Sequence, residues 1–191
     1  YLFENGEGVT KDYKQAFDWY LKAANQGSAY GQGNLGEAYE SGQGVDQDYK
    51  KAFDWFQKAA NQEYSYAQGW LGYMYEKGQG VYQDDKQAII WYQKAADQGL
   101  AYAQNNLGYM YEYGQGVTKD LKQAIRWYQK AADQGDSTYE KRLATLKSQI
   151  NTKKTKVNIV KNSSKIETEI LIKASNPPLE DSSLQIEFWN S

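Results

Sequence analysis

The 191-residue chain has no histidine, no cysteine and only two prolines, and no apolar run in it approaches the length of a membrane span. Without imidazole or thiol it cannot build Ser/His/Asp or Cys/His nucleophilic machinery, nor hold zinc through nitrogen and sulfur ligands. Disulfides are excluded as well, which suits a reducing compartment without requiring one. Twenty-two basic side chains face 24 acidic ones. The charge is therefore too balanced to create the one-signed field that nucleic acid or anionic lipid would demand. No cofactor, nucleic-acid partner or membrane insertion is expected. What the chain does have is aromatic and flexible: 18 Tyr, 6 Trp and 5 Phe beside 17 Gly. Such a bias calls for a search for internal repeats.

The repeat is 36 residues long. Trp19, Trp55, Trp91 and Trp127 fall at that interval, as do Gly8, Gly44, Gly80 and Gly116. One half of the unit reads WYLKAANQG from Trp19, WFQKAANQE from Trp55 and WYQKAADQG from both Trp91 and Trp127. The other half reads NLGEAYESGQGV from Asn34, WLGYMYEKGQGV from Trp70 and NLGYMYEYGQGV from Asn106. Each half carries a helical stripe, Ala16, Phe17, Tyr20, Ala23 and Ala24 in the second helix and Gly31, Leu35, Ala38 and Tyr39 in the first. Helices are predicted over 13–24, 29–41, 49–61, 65–77, 85–97, 101–113, 121–133 and 137–149.

The punctuation agrees. Asp12, Asp48, Asp84 and Asp120 precede each second helix, where a carboxylate accepts from free backbone N–H groups and meets the positive end of the dipole. Capping thereby accounts for Asp48 and Asp84 of the acidic pairs Asp46/Asp48 and Asp84/Asp85, and no further ligands are spaced around either pair as in a metal-binding loop. Gly27, Gly99 and Gly135 supply the left-handed residue that ends that helix, and Glu63 stands in the equivalent place, predicting a weaker stop. Gly36, Gly72 and Gly108 sit inside the first helices at a cost of about 1 kcal/mol each, which implies close approach of a neighbouring helix. The G-x-G-V loops follow helices rather than strands and lack a phosphate-binding lysine, so nucleotide binding is not expected.

These residues resemble the Sel1-like repeat, a relative of the tetratricopeptide repeat. Its pattern runs A-x-x-x-L-G-x-x-Y-x-x-G-x-G-V, then D-x-x-K-A, then W-Y-x-K-A-A-x-Q-G. The resemblance covers residues 1–136, with Glu63 for Gly and Phe56 for Tyr as local departures. It implies an all-α, right-handed α-solenoid of antiparallel helix pairs that serves as a scaffold or adaptor for other proteins, with no shared enzymatic reaction. Bacterial Sel1-like proteins include signalling scaffolds, host-interaction factors and cognate inhibitors of secreted toxins, and the resemblance makes a cognate inhibitor of a secreted bacterial toxin or effector, an immunity-type protein, the alternative expectation for this chain.

The ends differ from the array. Phe3 aligns with Tyr39, so most of the first helix of the first unit is missing, and upstream repeats are expected to cover that face. Residues 137–150 read as a C-terminal capping helix with Lys141, Arg142 and Lys147 outward. Residues 151–165 carry five lysines and no acid and read as a basic linker. Segments 157–160, 166–173 and 184–189 are β-branched or alternating and predict short strands. A small β-rich appendage over 151–191 is the expectation, with Ile170, Ile172, Ile186 and Phe188 packed on Leu143, Leu146 and Ile150.

In a stacked array the first helices line the concave face. Positions one step off the buried stripe are Tyr30, Asn34, Glu37 and Ser41, then Tyr66, Trp70, Tyr73 and Lys77, then Tyr102, Asn106, Tyr109 and Tyr113. They form an aromatic stripe of the kind enriched at interface hot spots, and they are the candidate partner-binding residues. Trp70 stands out because Asn34 and Asn106 occupy the equivalent places, so the fold does not demand it. The repeating Trp19, Trp55, Trp91 and Trp127 are assigned instead to the core or to packing between repeats. A peptide or protein partner held on the concave face, without catalysis, is the functional expectation. A hydrolase using carboxylates alone is a distant alternative, since it needs two acids facing one cleft and only Glu37 lies on the stripe.

Overall fold

The computed structural model describes residues 12–175, and among them the chain is helical without a strand. The helices are α1 (Tyr13–Asn25), α2 (Ala29–Ser41), α3 (Tyr49–Ala60), α4 (Ser65–Lys77), α5 (Asp85–Asp97), α6 (Ala101–Tyr113), α7 (Leu121–Ala132) and α8 (Ser137–Ser175). The first seven match the sequence expectation to within a residue. Among the described residues, those up to Leu146 form one compact unit and those from Lys147 form another. The remnant of the first repeat around Phe3 and Gly8 lies outside the described residues.

Within the first unit α1 to α7 pack in order, each on its sequence neighbours. All four aspartates act as N-caps. Asp12 accepts from Gln15 N at 3.0 Å and Asp48 from Lys51 N at 3.0 Å. Asp84 and Asp120 each accept from two backbone N–H groups. Backbone hydrogen bonding is also the main reason the carboxyls of Asp12 and Asp48 sit below the ordinary aspartate value.

Three cores result, each between a second helix and the first helix that follows it. Phe17, Tyr20 and Leu35 lie in the one between α1 and α2, Phe56, Leu71 and Met74 between α3 and α4, and Tyr92, Leu107 and Met110 between α5 and α6. The helical glycines are explained by these contacts. A Cβ on Gly36 would meet the Phe56 ring at 2.9 Å, one on Gly72 the Tyr92 ring at 2.5 Å, and one on Gly108 the Tyr128 ring at 2.6 Å. The G-x-G-V glycines serve the same end: Gly44 lies against the backbone of Tyr13, Gly80 against Tyr49 and Gly116 against Asp85, so these loops are contacts between repeats.

A ladder of buried amides also joins the units. Gln32, Gln68 and Gln104 donate to the carbonyls of Ala24, Ala60 and Ala96. Each in turn accepts from Gln62, Gln98 or Gln134 at 2.7 to 2.9 Å. A buried primary amide must be satisfied on both ends, and this alternation does so.

The conserved spacing of the four tryptophans does not make them all core residues. Trp127 is 8% exposed, Trp55 and Trp91 are half-buried, and Trp19 is 58% exposed. The next residue is the core anchor instead, with Phe56, Tyr92 and Tyr128 fully buried. Each tryptophan closes the core of the preceding helix pair, Trp55 on α1/α2, Trp91 on α3/α4 and Trp127 on α5/α6. No described helix pair precedes Trp19, which explains its exposure. A lysine three residues on lies over each indole, at 4.6 Å for Lys22, 3.8 Å for Lys58, 4.1 Å for Lys94 and 4.0 Å for Lys130. The outer faces are thus shielded by an alkyl stem and a cation.

Glu63 adopts φ of 62°, the one described non-glycine residue with positive φ, where Gly27, Gly99 and Gly135 have 87°, 91° and 87°. A Cβ at those three glycines would meet nothing within 4 Å, so the backbone conformation alone calls for glycine. Glu63→Gly is expected to stabilise the array by about 1 kcal/mol. Thermal unfolding of the two forms checks this.

Among the described residues the β-rich appendage is not found. Residues 157–160 and 166–173, expected as strands, and 151–165, expected as a linker, belong to α8. Between Ser137 and Ser175 there is no proline or glycine to stop a helix. The helix penalty of β-branched residues is only a few tenths of a kcal/mol each, and strands this short would have no sheet to join among the described residues. The hydroxyls of Thr152, Thr155, Ser164 and Thr168 bond back to the carbonyls four residues earlier. The expected packing of the tail fails where it is described, since Ile172 is exposed. Segment 184–189, Ile186, Phe188 and the side chain of Ile170 lie outside the described residues. Leu143 and Leu146 are buried within the first unit.

Candidate binding face

Burial of Ala67, Leu71 and Met74 turns Tyr66, Trp70 and Tyr73 to one side of α4. Together with Leu100 and Tyr102 these three line an apolar cleft of about 340 Å³. The rings brace one another: Trp70 meets Tyr66 and Tyr73 edge-on at 6.3 and 5.6 Å and stacks on Phe56 at 5.3 Å and 10°. Tyr102 meets Tyr92 edge-on at 6.2 Å. The departures at positions 56 and 70 thus meet each other in one stacked pair.

The remaining candidates fall to either side. Towards α2, Tyr66 donates to Glu37 Oε2 at 2.9 Å and Asn34 donates to the Tyr30 carbonyl at 2.8 Å. Burial pushes the Tyr66 hydroxyl up, so it remains a donor at neutral pH. Tyr30 is half exposed, with its ring edge-on to Tyr64. The Ser41 hydroxyl turns back to the Glu37 carbonyl. Lys77 is exposed and pairs with Glu76, with its ammonium 5.9 Å from the Tyr73 ring. Asn106 and Tyr109 border a second cleft of about 400 Å³ between α6 and the start of α8. Tyr113 lies at 4.5 Å from Tyr109.

Two participants escaped the sequence. Leu100 sits at a place held by Ser28, Tyr64 and Asp136 in the other units, and that variability was the available signal. Its side chain fits because residue 69 is a glycine, whose Cβ would lie 2.8 Å from it. Arg142, expected outward, instead turns onto the array. It donates to Glu112 at 3.1 Å and to the hydroxyls of Tyr128 and Tyr113 at 3.3 Å, within 5.8 Å of the rings of Tyr109, Tyr113 and Tyr128. A buried carboxylate under a tyrosine cage attracts the first cation within reach.

The same cage shows a gap at Phe56. Tyr92 and Tyr128 donate to Glu76 and Glu112 at 2.8 Å, whereas Phe56 has no hydroxyl to offer Glu40. Burial, and then the charge of Glu37, raises the Glu40 carboxyl above its ordinary 4.5. The folded state therefore holds this proton more tightly than the unfolded chain. The resulting stability is present below the unfolded value and is lost as pH rises through the folded one. Glu40→Gln is expected to raise the melting temperature at neutral pH and to leave it nearly unchanged at about pH 3, where the glutamate is protonated in both states. Paired melts at the two pH values check this.

Among the described residues no cluster of acids forms a metal site and no helix is long and apolar enough to cross a membrane. The fold and face define a helical-repeat protein with an aromatic groove along its first helices. The chain belongs to the Sel1 repeat family, whose pattern matches residues 1–28, 29–64, 65–100 and 101–136. Proteins of this family are generally non-catalytic protein-interaction modules. Among solved structures the chain is similar to c5321, a protective antigen of uropathogenic Escherichia coli with an SLR fold, at 42% identity and TM-score 0.72 over 76% of this chain and 31% of that one. It is also similar to a Sel1 repeat protein from Oxalobacter formigenes, at 40% identity and TM-score 0.72 over 76% of this chain and 59% of that one. Helicobacter pylori cysteine rich protein B matches at 29% identity and TM-score 0.54, over 70% of this chain and 96% of that one. The chain thus spans less than two thirds of the length of the first two. A search of the curated proteins finds no match.

Proposed function

We propose that this chain is a protein-interaction module that holds a peptide or protein element on its first-helix face, the concave side of a solenoid, without catalysing a reaction. The observation that carries the reading is the cleft of Tyr66, Trp70, Tyr73, Leu100 and Tyr102. Its rings are buttressed from behind and open in front, the arrangement in which aromatic side chains act as hot spots. A carboxylate-only hydrolase would need two acids across one cleft. No acid lines this one, and Glu37 and Glu40 stand on the same helix.

Affinity capture from the lysate of the source cell, read by mass spectrometry, tests the proposal. Partners retained by the native protein are expected to be lost with the Trp70→Ala, Tyr73→Ala, Tyr109→Ala variant. Equal capture by both would move the binding surface elsewhere. Turnover of a substrate that disappears in Glu37→Gln would instead favour the hydrolase.

A further inference from the structure

The groove is chemically graded along the array. Its central cleft is apolar and aromatic. One repeat further on, the second cleft is lined by Asn105, Asn106 and Tyr109 on one wall and by Lys141 and Arg142 on the other. Arg142 is paired with Glu112, but its side chain keeps 38% of its exposure, against 12% for Glu112. Lys141 is exposed beside it. The accessible charge of this cleft is therefore positive. One repeat in the other direction the wall carries Glu37, which holds the Tyr66 hydroxyl, and the half-buried Glu40.

The two clefts have a fixed spacing. Helices α4 and α6 touch directly, and packed helices lie roughly 8–10 Å apart. An extended chain advances about 3.3 Å per residue, so it crosses that distance in about three residues. We propose that the groove recognises an extended peptide segment of a partner in which a bulky apolar side chain stands three residues from a carboxylate. The apolar side chain enters the cleft of Tyr66, Trp70, Tyr73 and Tyr102, and the carboxylate meets Arg142 and Lys141. The gradient sets the order, since a carboxylate placed the other way would face Glu37. A helical partner would need about seven residues to cover the same distance at roughly 1.5 Å per residue. The inference rests on the reading of this face as a binding surface.

The test is a phage-displayed library of random dodecapeptides panned on the full chain, with Tyr73→Ala/Tyr102→Ala, Lys141→Gln and Arg142→Gln proteins as parallel targets. The native chain is expected to enrich peptides with Trp, Phe, Leu or Met three positions from Asp or Glu. In a synthetic peptide from that set, an acid-to-amide change is expected to weaken binding about five- to tenfold. That ratio should shrink towards one on Lys141→Gln and on Arg142→Gln. Lys141 is exposed, so its variant keeps the test sound if Arg142→Gln destabilises the fold. A seven-residue spacing, or an acid preference that survives in both basic-residue variants, overturns the proposal. So does apolar enrichment with no acid, which leaves the binding face standing. If nothing is enriched above the Tyr73→Ala/Tyr102→Ala target, the binding-face reading falls too.

Discussion

Tyr92→Ala is expected to remove about 3–5 kcal/mol of stability, the range for deleting a buried aromatic ring. The ring is fully buried between α5 and α6, and it presses on Gly72 of α4. Its loss opens a cavity that serves two repeats at once and leaves Glu76, the acceptor of its hydroxyl, without that donor. Repeat arrays draw stability from nearest-neighbour interfaces, so a loss of this size in the middle should separate the array into parts. Denaturant unfolding followed by tryptophan fluorescence is expected to lose its single transition. Tyr92→Phe, which keeps the packing and removes only the hydroxyl, should cost about 1–3 kcal/mol. A Tyr92→Ala protein that melts like the native one would contradict the assignment of this ring as the anchor.

The second large effect contrasts two tryptophans that look alike in sequence. Trp127→Ala is expected to cost about 3–5 kcal/mol, because the indole is 8% exposed and belongs to the core of α5 and α6. Trp19→Ala, at 58% exposure, should shift stability by about 0.5 kcal/mol or less. Trp55 and Trp91, half-buried over their preceding cores, should fall between. Four single substitutions measured by chemical denaturation would establish this order. Equal losses at Trp19 and Trp127 would show that burial is not what distinguishes them.

The sequence by itself determined the period, the seven described helices of the array, the aspartate caps, the glycine stops with their exception at Glu63, and the close approach at Gly36, Gly72 and Gly108. Each is local, or recurs at a fixed interval, and a repeat writes such signals several times over. It also placed Tyr66, Trp70, Tyr73 and Tyr102 on one face. Tertiary structure alone decided which of two adjacent aromatics is the anchor. Trp91 and Tyr92 are about 100° apart on one helix and both are large, so only the neighbours they meet separate core from edge. It likewise decided that Leu100 completes the cleft and that Arg142 turns inward, because both depend on residues about 30 positions away: Gly69 for the first, Glu112 for the second. Residues 151–175 depart from the strand expectation for a related reason. β-Branched residues such as Val157 and Ile166 favour strands only where a sheet is present to pack against, and with no breaker before Ser175 and no sheet among the described residues, the helix continues.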